Sequence, residues 1–393
     1  MFSLQFIDII ILIAASQGFL LSVLLFHKHG DLFATRFLGL LILLYSIILG
    51  HLVFGELTRS PAYYLASPLI IGIAFTMIPL HYLYTKYLVT NAATMEFQDL
   101  FHFLPFLIWE VFWIVSILIF RDNGHLWEFA IGSRTEHQTF ILFHWLIIIQ
   151  AVIYFYGTLK ILSGYAVDIR EVFSSVDRIK LDWLRYMTYL ALALVFGFFL
   201  ENSLRMAGID LSYQFNFSSL LVAIYVYTIG YLALFKSEIF SLPAVADSFR
   251  YLSQFSQKPD EDTRGPKYVK SGLRPEQIEQ FKRRLLRLME QEQPYRESDL
   301  ALNQVADMLS ISPHNLSEVI NTGLGKNFFD FINEYRVDRV KQDLRDSSKE
   351  NLTILSVAYD AGFNSKSAFY SIFKKMTGMT PSEYRQQSEN NKE

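Results

Sequence analysis

Seven apolar runs dominate the first 236 residues of this 393-residue chain, near Phe6–Phe26, Phe33–Phe54, Tyr63–Val89, Phe101–Phe120, Thr139–Leu162, Leu184–Met206 and Phe217–Phe235. Each approaches the roughly twenty residues that a helix needs to cross the hydrocarbon of a bilayer. The first run lacks a basic leader and a following small-residue cleavage site, so it reads as a retained span or signal anchor. The pattern changes after Lys236. Residues 237–270 contain Ser, Gln and Pro, with Pro259–Pro266 the clearest flexible stretch. Beyond them, apolar residues recur at helical spacing among dense charges. The expected fold is all-α: a seven-helix transmembrane bundle over 1–236, a cytoplasmic linker over 237–270, and an all-helical domain over 271–393.

Within that last domain, Pro275–Gln291 carries Ile278, Phe281, Leu285, Leu288 and Met289 on one face and predicts an amphipathic leading helix, for packing or for dimer formation. Residues 300–321 and 353–376 predict two helix-turn-helix units related by a repeat of about fifty residues. In the second, Ile354, Val357 and Ala358 share a face, Ala361–Phe363 make the break, and Asn364 and Ser365 are N-cap candidates. Ala368, Phe369, Ile372 and Phe373 then point inward. In the first, Leu302, Val305 and Ala306 are followed by a break at Ser310, where Gly would suit best, and by Leu316, Val319 and Ile320. Small residues at Ala306 and Ala358 let the paired helices cross closely, and Gly362 supplies the turn where positive φ is easiest. Between the units, 328–345 predicts a helix of about 25 Å, a strut able to hold two helices about 34 Å apart, one turn of B-DNA.

The residues Ile320-Asn321, Asn327-Phe328, Phe331-Ile332-Asn333, Tyr335-Arg336-Val337, Ala358, Ala361–Ser365, Phe369, Phe373-Lys374-Lys375, Thr377-Gly378 and Thr380–Arg385 resemble the DNA-binding domain of AraC-type transcriptional regulators, in its order and spacing. More loosely, Leu181–Arg185 and Ile224–Ile239 are similar to membrane-embedded members with seven spans. The resemblance implies a bacterial DNA-binding regulator of transcription that acts on double-stranded promoter DNA; a homodimer on adjacent half-sites is expected for avidity, with RNA polymerase a further candidate partner. It implies that His314, Ser317 and Glu318, with Asn315 beside them, face bases from the first recognition helix. Glu318 can accept from a cytosine amino group but repels phosphates. The second recognition helix offers Lys366, Ser367, Tyr370 and Ser371 to the groove, with Asn364 and Ser365 at its N-terminus for a phosphate. Lys374 and Lys375 are expected on the DNA backbone. Arg336 is expected to bond inside the domain, and Thr380 to cap a closing helix that begins at Pro381.

Charge sharpens this picture. The net charge of −3 excludes a general polyanion binder, and from Lys267 onward 19 Lys/Arg face 18 Asp/Glu. Affinity for phosphates therefore has to come from the local cluster Lys366, Lys374 and Lys375. With no Cys in the chain, disulfides, zinc fingers and thiol nucleophiles are excluded. No metal-ligand spacing, Ser/His/Asp pattern or phosphate-binding loop appears, so neither a cofactor, a metal nor catalysis is expected.

Lys and Arg near the ends of the apolar runs set an orientation. With the N-terminus outside, inner loops hold Lys28, Arg36, Lys86, Lys160, Arg170, Arg178, Lys180 and Arg185, against Arg59, Arg121, Arg134 and Arg205 outside. The C-terminal domain then lies in the cytoplasm, beneath a bacterial inner membrane. Residues Ser163–Trp183 are polar and predict an amphipathic helix on the inner surface. Inside the spans, Glu110, His144, Glu201, Asn202 and Arg205 are costly and form a candidate sensor site for an unknown small-molecule or physical signal. Glu201 and Arg205 have the spacing of an ion pair. The same residues also suit interhelical hydrogen bonds that only fix the bundle. Two other functions remain open on sequence alone: a transporter or intramembrane enzyme with a regulatory DNA-binding tail, and a passive membrane anchor for DNA.

Overall fold

A computed structural model describes residues 6–27, 33–58, 69–122, 134–177, 179–206, 217–236 and 273–390, with Ser67 and Ile209. The linker expected over 237–270 lies outside them. Among the described residues the regular elements are helical, apart from one isolated antiparallel bridge between Phe173 and Ala301. The chain divides into two compact units, one of Met1–Ser163 with Leu181–Ser241 and one of Gly164–Lys180 with Leu242–Glu393.

The first unit holds α1 (Phe6–His27), α2 (Ala34–Thr58), α3 (Ala74–Thr90), α4 (Leu104–Asp122), most of α5 (Arg134–Val172), α6 (Asp182–Met206) and α7 (Phe217–Lys236). Six helical stretches are long and apolar enough to cross a membrane, and Ser218–Leu232 is a shorter apolar helix among the described residues. Among the described residues, six of the seven expected spans meet that length and composition. Small residues bring the first helices together: a Cβ on Gly18 would lie 3.0 Å from Val226 Cγ1, and α1 contacts both α2 and α7. Buried polar groups are paired across helices. His81 sits between Thr188 Oγ1 and Tyr225 Oη, 3.0 Å from each. Gln150 donates to the Phe75 carbonyl at 3.0 Å.

One expectation fails here. No separate amphipathic helix begins at Ser163, because α5 runs unbroken through 39 residues to Val172. Tyr165, Ile169 and Val172 continue the helical apolar spacing, and all three are buried, so the packing that sustains α5 does not stop at its membrane-length part. At 1.5 Å per residue the helix is about 58 Å long, well beyond the roughly 30 Å of a hydrocarbon core.

The second unit contains the last turns of α5 and α8 (Pro275–Gln291), α9 (Leu302–Leu309), α10 (Pro313–Leu324), α11 (Phe328–Arg345), α12 (Ile354–Asp360), α13 (Lys366–Thr377) and α14 (Pro381–Asn390). Two cores share α11. Its first half gives Phe328, Phe331 and Ile332 to a core with Leu285, Leu302, Val305, Leu316 and Ile320. Its second half gives Val337, Val340 and Leu344 to a core with Val357, Ala358, Phe369 and Phe373. Apolar residues spaced three and four apart run the length of α11, so each half has a stripe to bury.

Candidate nucleic-acid interface

Each candidate recognition helix follows a short helix and a turn that only a left-handed residue completes. After α9 the turn residue is Ser310 at φ 54°, and after α12 it is Gly362 at φ 99°. Gly362 has a second constraint, since a Cβ there would meet the Arg296 backbone at 2.9 Å. Serines then cap the following helices: Ser312 Oγ accepts from the Asn315 N–H at 3.2 Å, and Ser365 Oγ accepts from the Ala368 N–H at 3.1 Å. These bonds satisfy N–H groups that a helix start leaves free. The α14 start has a reciprocal box, with Glu383 N–H donating to Thr380 Oγ1 at 3.3 Å and Thr380 N–H to Glu383 Oε2 at 2.6 Å. Those bonds hold the Glu383 carboxyl below the usual carboxylate range.

Arg336 fixes the relation between the two cores. It is 1% exposed. Its Nε donates to the Tyr295 carbonyl at 2.8 Å, Nη2 to the Glu297 carbonyl at 2.7 Å, and Nη1 to the Ser174 carbonyl at 3.2 Å. Burial pulls the guanidinium down to about 10, still charged at neutral pH. With its donors turned inward, this side chain is a joint and not a phosphate ligand.

On α13, Lys366, Ser367, Ser371, Lys374 and Lys375 are exposed, while Tyr370 is half-buried against the second core. The Lys366 ammonium lies 5.8 Å from the Tyr370 ring centre. Lys375 pairs with Asp330 of α11 at 3.6 Å. Asn364 donates to Asp299 at 3.0 Å. The sequence left the N-cap open between Asn364 and Ser365; it is Ser365.

The α10 helix differs. His314 is exposed and Asn315 half-buried, and Ser317 accepts from Asn321 Nδ2 at 3.2 Å. Glu318, expected to face outward, is 7% exposed. It lies three residues before Asn321, on the same helix face, and Asn321 Nδ2 also donates to Glu171 Oε2 at 3.0 Å. The stretch after Gly164 thus approaches the face that helical spacing alone leaves open. Sequence reasoning missed this approach, since nothing in either stretch's periodicity signals it.

The candidate sensor residues fall on several helices. Glu110 of α4 lies against Gly72, where an added Cβ would meet its carboxylate. His144 of α5 stacks on Phe198 of α6 with ring centres 5.3 Å apart. Asn202 bonds its own helix, donating to the Phe198 carbonyl at 2.7 Å. Glu201 Oε2 accepts from the Ser218 N–H at 3.1 Å, at the start of α7, where a carboxylate complements the helix dipole. The Arg205 side chain, and with it the expected Glu201–Arg205 pair, lies outside the described residues.

A family model described as a helix-turn-helix domain matches residues 305–387. An uncharacterized HTH-type transcriptional regulator of Staphylococcus aureus (strain COL), SACOL0084, is 33% identical over 87 residues, 22% of this chain and 11% of that protein. YtdP, an uncharacterized HTH-type transcriptional regulator of Bacillus subtilis (strain 168), is 30% identical over 91 residues, 23% of this chain and 11% of that protein. The melibiose operon regulatory protein of Escherichia coli (strain K12) is 32% identical over 90 residues, 23% of this chain and 29% of that protein. This chain therefore spans about a tenth of the length of the first two relatives. The similarity lies in the second unit, whose C-terminal residues form a helix-turn-helix domain of the AraC type.

Proposed function

We propose that this protein is a membrane-bound, one-component transcriptional regulator that binds promoter DNA sequence-specifically. In this reading α9–α10 and α12–α13 are two helix-turn-helix units that enter successive major grooves, α1–α7 span the membrane with the N-terminus outside, and the second unit works in the cytoplasm. The observation that carries it is α13. A capped helix with Lys366, Ser367, Ser371, Lys374 and Lys375 exposed stands inside the helix-turn-helix match, in a chain with six apolar helices. Lysines contact phosphates, and the serines and His314 are placed for base edges. Two chains on adjacent half-sites would gain avidity from effective concentration. The family matches point to regulators and away from an enzyme. The signal is assigned to the bundle, with Glu110, His144, Glu201, Asn202 and Arg205 as its candidate receptors.

Genome-wide occupancy of the full-length protein tests this reading, beside a Lys366→Ala, Ser371→Ala double variant. Discrete sites sharing one motif, lost in the variant, are expected. Signal spread evenly over the genome under several growth conditions would sink the regulator reading.

A further inference from the structure

The DNA-contact reading leaves one part of the second unit unused: Glu171–Asp177, at and beyond the end of α5. Its middle is anchored. Phe173 pairs with Ala301, the Ser174 N–H donates to the Leu300 carbonyl at 3.1 Å, and the Ser174 carbonyl accepts from Asn333 Nδ2 at 3.0 Å as well as from Arg336. Ser174 is 1% exposed, so the anchor is an internal part of the unit.

Either side of that anchor, the stretch reaches a candidate recognition helix. Upstream, Glu171 accepts from Asn321 of α10. Downstream, Ser175 Oγ donates to Asn364 Oδ1 at 2.9 Å. The Asp177 carboxylate accepts from the hydroxyl of Ser365, the α13 N-cap, and from the Ser367 hydroxyl at 3.4 Å. Asp177 also pairs with Lys180 at 3.3 Å.

A helix N-terminus with hydroxyl donors is a place where a DNA phosphate docks. Here an anion of the same chain takes those donors. A serine hydroxyl carries one proton, so Ser365 and Ser367 cannot serve Asp177 and a phosphate together, and the carboxylate charge repels the phosphate. We infer that Glu171–Asp177 is an autoinhibitory latch, an intramolecular stand-in for phosphate whose Asp177 end must leave α13 before DNA binds. The inference rests on the reading of α13 as DNA-contacting and adds its regulation. It also gives the signal a route. Because α5 is unbroken from Arg134 to Val172, a shift or rotation of its apolar part is delivered to the latch by a rigid helix, and the two states of the latch are biased accordingly.

The chain has no Cys, so an introduced pair has no native competitor. Full-length protein with Asp177→Cys and Ser367→Cys, in nanodiscs, is titrated by fluorescence anisotropy with a duplex bearing the occupancy motif and with a scrambled duplex, before and after reduction. The pair should cross-link without DNA, and the oxidised form should bind the motif roughly tenfold or more weakly than its reduced form. Asp177→Ala should bind on the order of fivefold more tightly than wild type. Asp360→Asn, which removes one charge from the exposed end of α12, should leave affinity near wild type. Failure to cross-link, equal binding by oxidised and reduced forms, or no gain in Asp177→Ala beyond that of Asp360→Asn overturns the latch. Those results leave the regulator reading intact while wild type still prefers the motif. Absence of that preference in every form, Asp177→Ala included, overturns both.

Discussion

The two helix pairs of the second unit share a frame and differ in what they present. Ala306 and Ala358 are both fully buried at the crossings. Each second helix has twelve residues, a serine cap and a left-handed glycine after it, Gly325 or Gly378. Yet α10 has no Lys or Arg and buries Glu318, whereas α13 has three Lys and no acid. The frame is fixed by small, capping and apolar residues, and the outward residues are free to differ. The pairs are alike as folds and unequal as partners for a polyanion.

The largest expected effect comes from cutting the joint that holds the pairs in one unit. Arg336→Met removes charge-assisted bonds to the carbonyls of Tyr295, Glu297 and Ser174, and leaves buried acceptors unmet. A loss of about 3 kcal/mol or more is expected. Hydrogen exchange of α11 amides in the full chain should rise accordingly. Protection equal to wild type would show that the two cores hold together without Arg336.

The same joint shows how far the sequence could be read. Apolar spacing over 328–345 is enough to place α11, and the crossing residues Ala306 and Ala358 follow from the repeat, because these are local periodicities. Arg336 could be assigned to the interior, since apolar Ile332 and Val340 lie one turn away on either side of it. Its partners could not be named. Ser174 is 162 residues away in sequence, and backbone acceptors have no side-chain signature. The side-chain bond between Glu171 and Asn321 of α10 was hidden by a separation of 150 residues. Gly164–Val172 misled for another reason: polar composition outweighed the continuing spacing of Tyr165, Ile169 and Val172.

The charge difference between the helices is sharpened by salt. Replacing Lys374 and Lys375 with Ala should make the slope of log affinity against log salt shallower by about 2, near 0.9 for each phosphate no longer neutralised. Because Lys375 also meets Asp330, Lys374→Ala alone should account for more than half of the change. His314→Ala with Asn315→Ala should shift base preference and leave the slope as in wild type. If the α10 double variant flattened the slope more than the lysine pair, the inequality between the helices would be reversed.

The smallest effect separates the two turns. Ser310 holds φ 54° while its N–H donates to the Asp307 carbonyl at 3.0 Å, a bond that glycine would keep. A left-handed backbone costs a residue with a Cβ about 1 kcal/mol, and glycine almost nothing, though glycine loses more chain entropy on folding. Ser310→Gly should therefore stabilise the second unit by about 0.5 kcal/mol, read as a raised unfolding midpoint in the full chain. Gly362→Ala should move the midpoint the other way, since its Cβ meets the Arg296 backbone as well as the φ penalty. A lower midpoint for Ser310→Gly would mean that the serine side chain contributes more than its backbone strain costs. The two turns would then be different solutions to one break, and not one solution filled by a better and a worse residue.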